Sequence, residues 1–180
     1  MYAHLSFAIT QKYSFFALLN KRFMKIKFIL NGKTEEDYLL TGISAYEKRL
    51  THYVSFETIV IPALKNTKAL SVAQQKEKEA ELLFKEIESS DRLILLDENG
   101  KDHNSVEFAG FLQQQMNSGI KNLIFVVGGP YGFSDAVYKR ANGIIALSKM
   151  TFSHQMVRLF FVEQIYRGMT ILKNEPYHHQ

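Results

Sequence analysis

The residues that decide the fold are Leu123 to Gly132, which read Leu-Ile-Phe-Val-Val-Gly-Gly-Pro-Tyr-Gly. Five apolar residues, rich in branched and aromatic side chains, predict a strand that is buried on both faces. The strand pattern ends at Gly128, where glycines let the main chain turn with positive φ and let a ligand approach it closely. Ser134 then opens a helical pattern. Such a strand, turn and helix start often bind small molecules in α/β proteins, although a tight turn alone would also explain the glycines.

On both sides of this stretch, strand patterns alternate with helical patterns along the chain. Four further strands are predicted, at residues 24–30, 53–61, 92–96 and 144–147. Helices are predicted at residues 34–50, 71–88, 104–117, 135–141 and 153–172. This alternation predicts an α/β protein with a mostly parallel sheet. Because ligands bind outside the carboxyl ends of such strands, we expect the segments after Leu96, Val127 and Leu147 to form one site.

Polar residues precede several of the helical patterns. Asn104 and Glu107 have the spacing of a helix cap and its reciprocal partner. Thr34, Ser71 and Ser153 are also expected to begin helices, because their side-chain oxygens can accept hydrogen bonds from main-chain amides of the first turn.

Composition restricts the class of protein and the organisation of the chain. The net charge is +4, but residues 1–23 contain three basic residues and no acid, and the remainder has 19 basic against 18 acidic residues. Bulk charge therefore does not identify a nucleic-acid partner. No apolar run approaches the ~20 residues that span a bilayer. We expect residues 1–23 to be an extension and the domain to occupy residues 24–180, starting at Met24.

The sequence lacks the motifs of several common phosphate-, dinucleotide- and zinc-binding sites. The glycine turn lacks both the Lys-Ser/Thr of a P-loop and the pattern of a dinucleotide-binding turn. The absence of cysteine and of an H-E-x-x-H motif argues against a structural zinc site.

The last helical pattern is apolar nearly all round, which predicts burial against the sheet and against a second subunit. A core helix within a single chain is the alternative.

The ordered set of motifs resembles one family. The set comprises Leu96-Asp97-x-x-Gly100, Val127-Gly128-Gly129-Pro130-x-Gly132, Leu147-Ser148-x-Met150-Thr151-Phe152-x-His154, Arg158, Glu163-Gln164-x-Tyr166-Arg167 and Pro176-Tyr177-His178. From Met24 onward the chain is similar to the SPOUT-class ribosomal RNA large-subunit methyltransferases that methylate N3 of a pseudouridine.

The resemblance implies a SPOUT-type α/β knot, in which a mostly parallel sheet is flanked by helices and the C-terminal segment forms a trefoil knot. It implies a cytoplasmic homodimer, without a metal or a membrane partner, that acts on ribosomal RNA or the assembled ribosome. It also implies S-adenosylmethionine (SAM) as methyl donor. The implied cofactor-binding residues are Leu96, Gly128, Gly129, Gly132, Leu147, Ser148, Lys149, Met150, Thr151 and Phe152.

The resemblance further implies a catalytic set of His178, Tyr177 and Arg158. His178 is the expected base for the N3 proton, and Tyr177 is expected to stack on the nucleobase. Arg158 or Arg167 would offset charge on the pyrimidine oxygens or hold a phosphate, unless they form ion pairs with Glu163 of a neighbouring subunit.

Two other functions stay open at this point. A non-catalytic RNA- or ribosome-binding module could keep the same fold, and an unrelated small-molecule enzyme could use a doubly wound sheet.

Relatives often have arginine or lysine where this chain has His179, so the resemblance does not extend to a charged role at that position.

Overall fold

The computed structural model describes residues 24–178, so the predicted extension 1–23 and His179 lie outside the described residues. The strands and α-helices follow one another as β1 (Lys25–Asn31), α1 (Asp37–Leu50), β2 (Ser55–Ile61), α2 (Val72–Lys85), β3 (Arg92–Asp102), α3 (Ser105–Asn117), β4 (Asn122–Val127), α4 (Asp135–Arg140), β5 (Gly143–Ala146) and α5 (Met156–Leu172). A short 3₁₀ turn, Thr67–Ala69, precedes α2. No helix of the described part is long and apolar enough to cross a membrane.

The strands form one parallel sheet in the order β2-β1-β4-β3-β5. The predicted α/β class with a parallel sheet flanked by helices is confirmed. β4 is central, and Leu123 through Val127 are each at most 5% exposed, as expected for a strand that is covered on both faces. The glycine turn therefore leaves the sheet from its central, buried strand.

Side chains alternate between two apolar layers because the side-chain period of a strand is two. Phe125 points into a layer with α1, α3 and α5, whereas Ile124 points into a layer with α2 and α4. The Phe161 ring of α5 lies 4.8 Å from that of Phe125 and 5.0 Å from that of Phe28. This contact fixes α5 against the sheet and positions the C-terminal residues that follow it.

The predicted helix starts are confirmed where the capping residue and its partner lie in the same turn. Ser71 and Asn104 both form complete capping boxes, with Gln74 and Glu107 as their reciprocal partners. Thr34 does not cap a helix, because α1 begins only at Asp37 after an uncapped Glu36.

The last helix was expected to begin at Ser153, but α5 begins three residues later, at Met156. Its hydroxyl oxygen nevertheless accepts a hydrogen bond from the Met156 amide at 3.1 Å. The second strand begins at Ser55, two residues later than predicted, and α2 ends at Lys85 instead of residue 88.

The predicted end of β3 at Leu96 is wrong, because the strand continues to Asp102. Both Leu96 and Lys101 pair with Ile145, and the register shifts between them. Gly100 lies directly on β5, since a Cβ there would stand 2.6 Å from the carbonyl carbon of Ile145. This close crossing of β3 and β5 is compatible with a knotted chain, and the trefoil knot itself stays a prediction.

Candidate active site

The residues that follow Leu96 in β3 lie at the same edge of the sheet as the segments that follow β4 and β5. The three strands are parallel neighbours, so their carboxyl ends share that edge. The hydroxyl of Tyr138 donates to Asp97 at 2.7 Å, and Thr151 Oγ1 lies 3.5 Å from Glu98 Oε2. Burial, followed by the hydrogen bond with Asp97, raises the pKa of Tyr138 to about 12. Tyr138 therefore stays a hydrogen-bond donor at neutral pH and ties α4 to the segment after Leu96.

The glycine turn after β4 is closed by its own main chain. The Gly132 amide donates to the Gly129 carbonyl at 3.0 Å, and Gly132 has a φ of +76°, which favours glycine. A Cβ on Gly129 would stand 2.5 Å from Glu79 Oε2 and 2.9 Å from Asn31 Nδ2. The turn therefore has one side packed against polar side chains of α2 and β1.

A small cavity of about 20 Å³ lies on that packed side of the turn. Its wall includes Gly129, Glu79 and Ser134, but neither Leu96 nor any residue of 147–152. Ser134 is 3% exposed, and its hydroxyl has no partner among the described residues. The volume is sufficient for about one water molecule, so this side does not accommodate an adenosyl group.

In the run Leu147 to Phe152, the first two residues are half-buried and the last four are exposed. Met150 is 76% exposed, and its amide donates to Ser148 Oγ at 2.9 Å. Within the described residues, the amides of Lys149, Thr151 and Phe152 donate no hydrogen bond to the chain. Main-chain amides that have no partner within the described residues can donate hydrogen bonds to a ligand.

A second group of side chains surrounds the C-terminal residues, and we call it the tail cluster: Tyr46, Glu163, Arg167, Tyr177 and His178. Glu163 Oε1 accepts from Arg167 Nη2 at 2.5 Å and from the Tyr177 hydroxyl at 3.0 Å. The Tyr177 hydroxyl also lies 3.1 Å from that of Tyr46. Arg167 lies 4.9 Å from the centre of the Tyr177 ring and contacts His178 Nδ1 at 3.4 Å.

The tail cluster fixes the protonation state of two of its members. Burial, with hydrogen bonds to Tyr46 and Glu163, raises the pKa of Tyr177, so its hydroxyl stays protonated at neutral pH. The hydrogen bond from Arg167 to Glu163 raises the pKa of the guanidinium, which keeps its charge. The cluster therefore offers a fixed cation, a neutral phenol and an imidazole beside one another.

Arg158 lies apart from the tail cluster and is only 1% exposed. Its guanidinium donates to the carbonyls of Asn31, Gly32 and His154 and to Thr34 Oγ1, over 2.8–3.1 Å. These contacts explain why Thr34 caps no helix. Burial lowers the pKa of Arg158, and the charge of Glu35 opposes that shift. The catalytic role expected for Arg158 is an untested prediction, and the direction of its donors into the chain favours the alternative that it joins β1 to α5.

Glu163 is expected from the sequence only as a possible ion-pair partner between subunits, whereas the structure pairs it with Arg167 of the same chain. The i,i+4 spacing of the two residues on one helix is the signal that could have identified this pair. Tyr46 was not identified as a site residue, because one tyrosine on an amphipathic helix carries no functional signal.

A larger cavity of about 450 Å³ lies along β5 on another side of the molecule. It is bordered by residues such as Arg92, Lys101 and Phe111, and by no member of the tail cluster or of the predicted cofactor set. No group of three or more metal-ligating side chains is present in residues 24–178.

Comparison with known proteins identifies the family. Residues 24–178 match the family model described as predicted SPOUT methyltransferase. Ribosomal RNA large subunit methyltransferase H of Flavobacterium johnsoniae is 60% identical over 157 residues, which are 87% of this chain and all of that protein. The proteins of the same name from Flavobacterium psychrophilum and Bacteroides thetaiotaomicron are 62% and 54% identical over the same shares.

A solved structure supports the fold. The crystal structure of a probable methyltransferase from Bordetella pertussis Tohama I has a TM-score of 0.52 and 12% identity, and covers 83% of this chain and 99% of its own. The family model spans nearly all the described residues, and relatives above 50% identity are matched over their whole length. The chain therefore belongs to the SPOUT methyltransferase family.

Proposed function

We propose that this protein transfers a methyl group from SAM to N3 of a pseudouridine in 23S ribosomal RNA, on the assembled ribosome in the cytoplasm. The observation that carries the proposal is the match over their entire length with relatives named as large-subunit ribosomal RNA methyltransferases. The tail cluster supports it, since a cation, a phenol and an imidazole suit the recognition of a pyrimidine that must lose a proton.

The methyl donor is assigned to the edge where β3, β4 and β5 end. Leu96 would contact the adenosyl group, Gly128, Gly129 and Gly132 would shape the turn beside it, and the run Leu147 to Phe152 would supply main-chain hydrogen bonds. SAM supplies an electrophilic methyl group on a cationic sulfur when it is bound. The role of the protein is then to hold the nucleobase in line with that group and to exclude competing water.

His178 is the proposed base for the N3 proton, and its geometry sets a condition on that role. A guanidinium only donates hydrogen bonds, so His178 Nδ1 must be the acceptor in the contact with Arg167. The proton of the neutral imidazole then resides on Nε2. His178 accepts the N3 proton at Nδ1 once the ring leaves Arg167, and until then Nε2–H can donate to a pyrimidine oxygen.

Arg167 and Tyr177 complete the proposed site. Arg167 keeps its charge and would stabilise the negative charge that develops on the pyrimidine oxygens after N3 loses its proton. The Tyr177 ring already lies against this guanidinium and would present its other face to the nucleobase.

A homodimer is proposed as the active form. α5 exposes Phe160 at 42%, and the Phe152 ring lies 5.1 Å from it at the edge of the predicted cofactor segment. Covering these rings with a second subunit would bury apolar surface. We propose that the tail cluster of one subunit then faces the cofactor segment of the other.

The test is methyl transfer from labelled SAM to isolated subunits and to intact ribosomes that lack the modification, followed by mapping of the product. We expect label at N3 of a pseudouridine in 23S ribosomal RNA, with the intact ribosome as the better substrate. A protein that binds ribosomes but neither binds SAM nor transfers label would instead be a non-catalytic module with this fold.

A further inference from the structure

The chain reverses direction immediately after α5, and few main-chain bonds hold the reversal. Asn174 has a φ of +54°, in the left-handed region. The Glu175 amide donates to the Thr170 carbonyl at 3.0 Å, and the Asn174 amide donates to the Ile171 carbonyl at 3.0 Å. Terminal residues with so few bonds are mobile unless side chains fix them.

One side chain, that of Tyr53, contacts the residues on both sides of this reversal. Tyr53 lies between α1 and β2, far from the tail in sequence. Its hydroxyl donates to Glu175 Oε2, and the Lys173 ammonium lies 5.1 Å from the centre of its ring. Burial, followed by the hydrogen bond with Glu175, raises the pKa of Tyr53, so the hydroxyl keeps its proton at neutral pH.

Tyr53 is also connected to the tail cluster through a second aromatic ring. The ring of Tyr53 meets that of Tyr166 edge-on at 5.7 Å, and Tyr166 meets Tyr177 edge-on at 4.8 Å. Glu175, the partner of the Tyr53 hydroxyl, precedes Tyr177 by two residues. Both connections end at the residue that we propose to stack on the nucleobase.

We infer that Tyr53 is a positioning residue for methyl transfer, which holds the C-terminal reversal so that Tyr177 stays against Arg167 and His178 stays at the proposed site of the nucleobase. This inference rests on the proposed function. The hydroxyl of Tyr53 determines where Glu175 lies, and the ring determines the packing of Tyr166 on Tyr177. Tyr53 makes no hydrogen bond or ring contact with Glu163, Arg167 or His178, so its effect on the reaction passes through the tail.

The test compares Tyr53→Phe, Glu175→Gln and the double variant. Each single change weakens the same hydrogen bond, so we expect each to lower kcat about tenfold, with the double variant no lower than the more affected single variant. The Kd for SAM should stay within about twofold of wild type. Tyr38→Phe is the matched control, because Tyr38 is 62% exposed and its hydroxyl contacts only the Met156 sulfur at 3.7 Å.

Multiplicative losses in the double variant, or an effect equal to that of Tyr38→Phe, would overturn the inference. A second measurement does not depend on activity. Amide hydrogen exchange at Asn174 and Glu175 should accelerate in Tyr53→Phe, and unchanged exchange would also overturn the inference. If wild type transfers no methyl group, the proposed function fails while the exchange experiment still tests the position of the tail.

Discussion

At the scale of single residues, the role of a charged or titratable side chain depends on where its donors point. Arg158 and Arg167 lie on the same helix, yet Arg158 is directed into the chain whereas Arg167 faces the C-terminal residues. Their spacing of nine residues predicted different faces of α5. It did not predict which face is buried, because that depends on where β1 ends.

The role of His178 can be separated from that of a simple donor. His178→Ala should lower kcat by about a hundredfold or more if the imidazole accepts the N3 proton. His178→Gln keeps a donor and removes the base, so it should lose as much activity as the alanine variant. Single-turnover methyl transfer to ribosomes measures both. Near-normal rates for His178→Gln would show that the imidazole donates a hydrogen bond and that another group takes the proton.

Arg158 should affect stability first and activity only through folding. Arg158→Met removes the shared donor of three main-chain carbonyls that are half-buried or exposed, at Asn31, Gly32 and His154, which should lower the free energy of unfolding by about 2 kcal/mol. Denaturant unfolding measures the loss, and methyl transfer per folded molecule at low temperature should stay close to wild type. An Arg158→Met protein of normal stability without activity would instead place this guanidinium in the reaction.

At the scale of elements, the sequence predicts the features that depend on neighbouring residues. It does not predict those that depend on contacts between residues distant in sequence. The boxes at Ser71 and Asn104 are formed within four residues, so the sequence alone specifies them. Thr34 does not cap α1, because its hydroxyl instead accepts a hydrogen bond from Arg158, which is distant in sequence. The segment Asp97 to Gly100 has the composition of a turn, and only its crossing of β5 keeps the chain in β3 beyond Leu96.

A cap of this kind has a measurable contribution. Asn104→Ala should lower the free energy of unfolding by about 1 kcal/mol, because the Glu107 amide loses its acceptor at the start of α3. Ser89→Ala is the control, since that exposed side chain makes no hydrogen bond within the described residues. Urea titration of the two variants gives the difference. Equal midpoints for both would mean that the box adds nothing to the stability of the sheet and its helices.

At the scale of the whole molecule, the sequence patterns predicted the parallel sheet and the shared edge of three strands. They did not predict the cavity behind Gly129, whose wall brings together residues of β1, α2 and β4, or the contact between Tyr46 and Tyr177, which lie 131 positions apart. A knot leaves no signal in hydrophobic periodicity, so the expectation of a trefoil knot came from the family resemblance alone.

The extension predicted at residues 1–23 can be removed to test the domain boundary. Because the matched relatives align with 87% of this chain over their whole length, a protein that starts at Met24 should keep its melting temperature and its methyl-transfer rate. Thermal unfolding and the ribosome assay check this. A shortened protein that fails to fold would show that these residues belong to the domain.

We propose that the segments after Leu96, Val127 and Ala146 bind the methyl donor and that the tail cluster completes the site. A crystal structure of the protein with SAM tests it most directly. We expect the adenosyl group beside Leu96, Gly129 and the run Leu147 to Phe152, with its methyl group facing Tyr177 and His178 of either subunit. SAM in the cavity along β5, or on the α2 side of the glycine turn, would contradict the account.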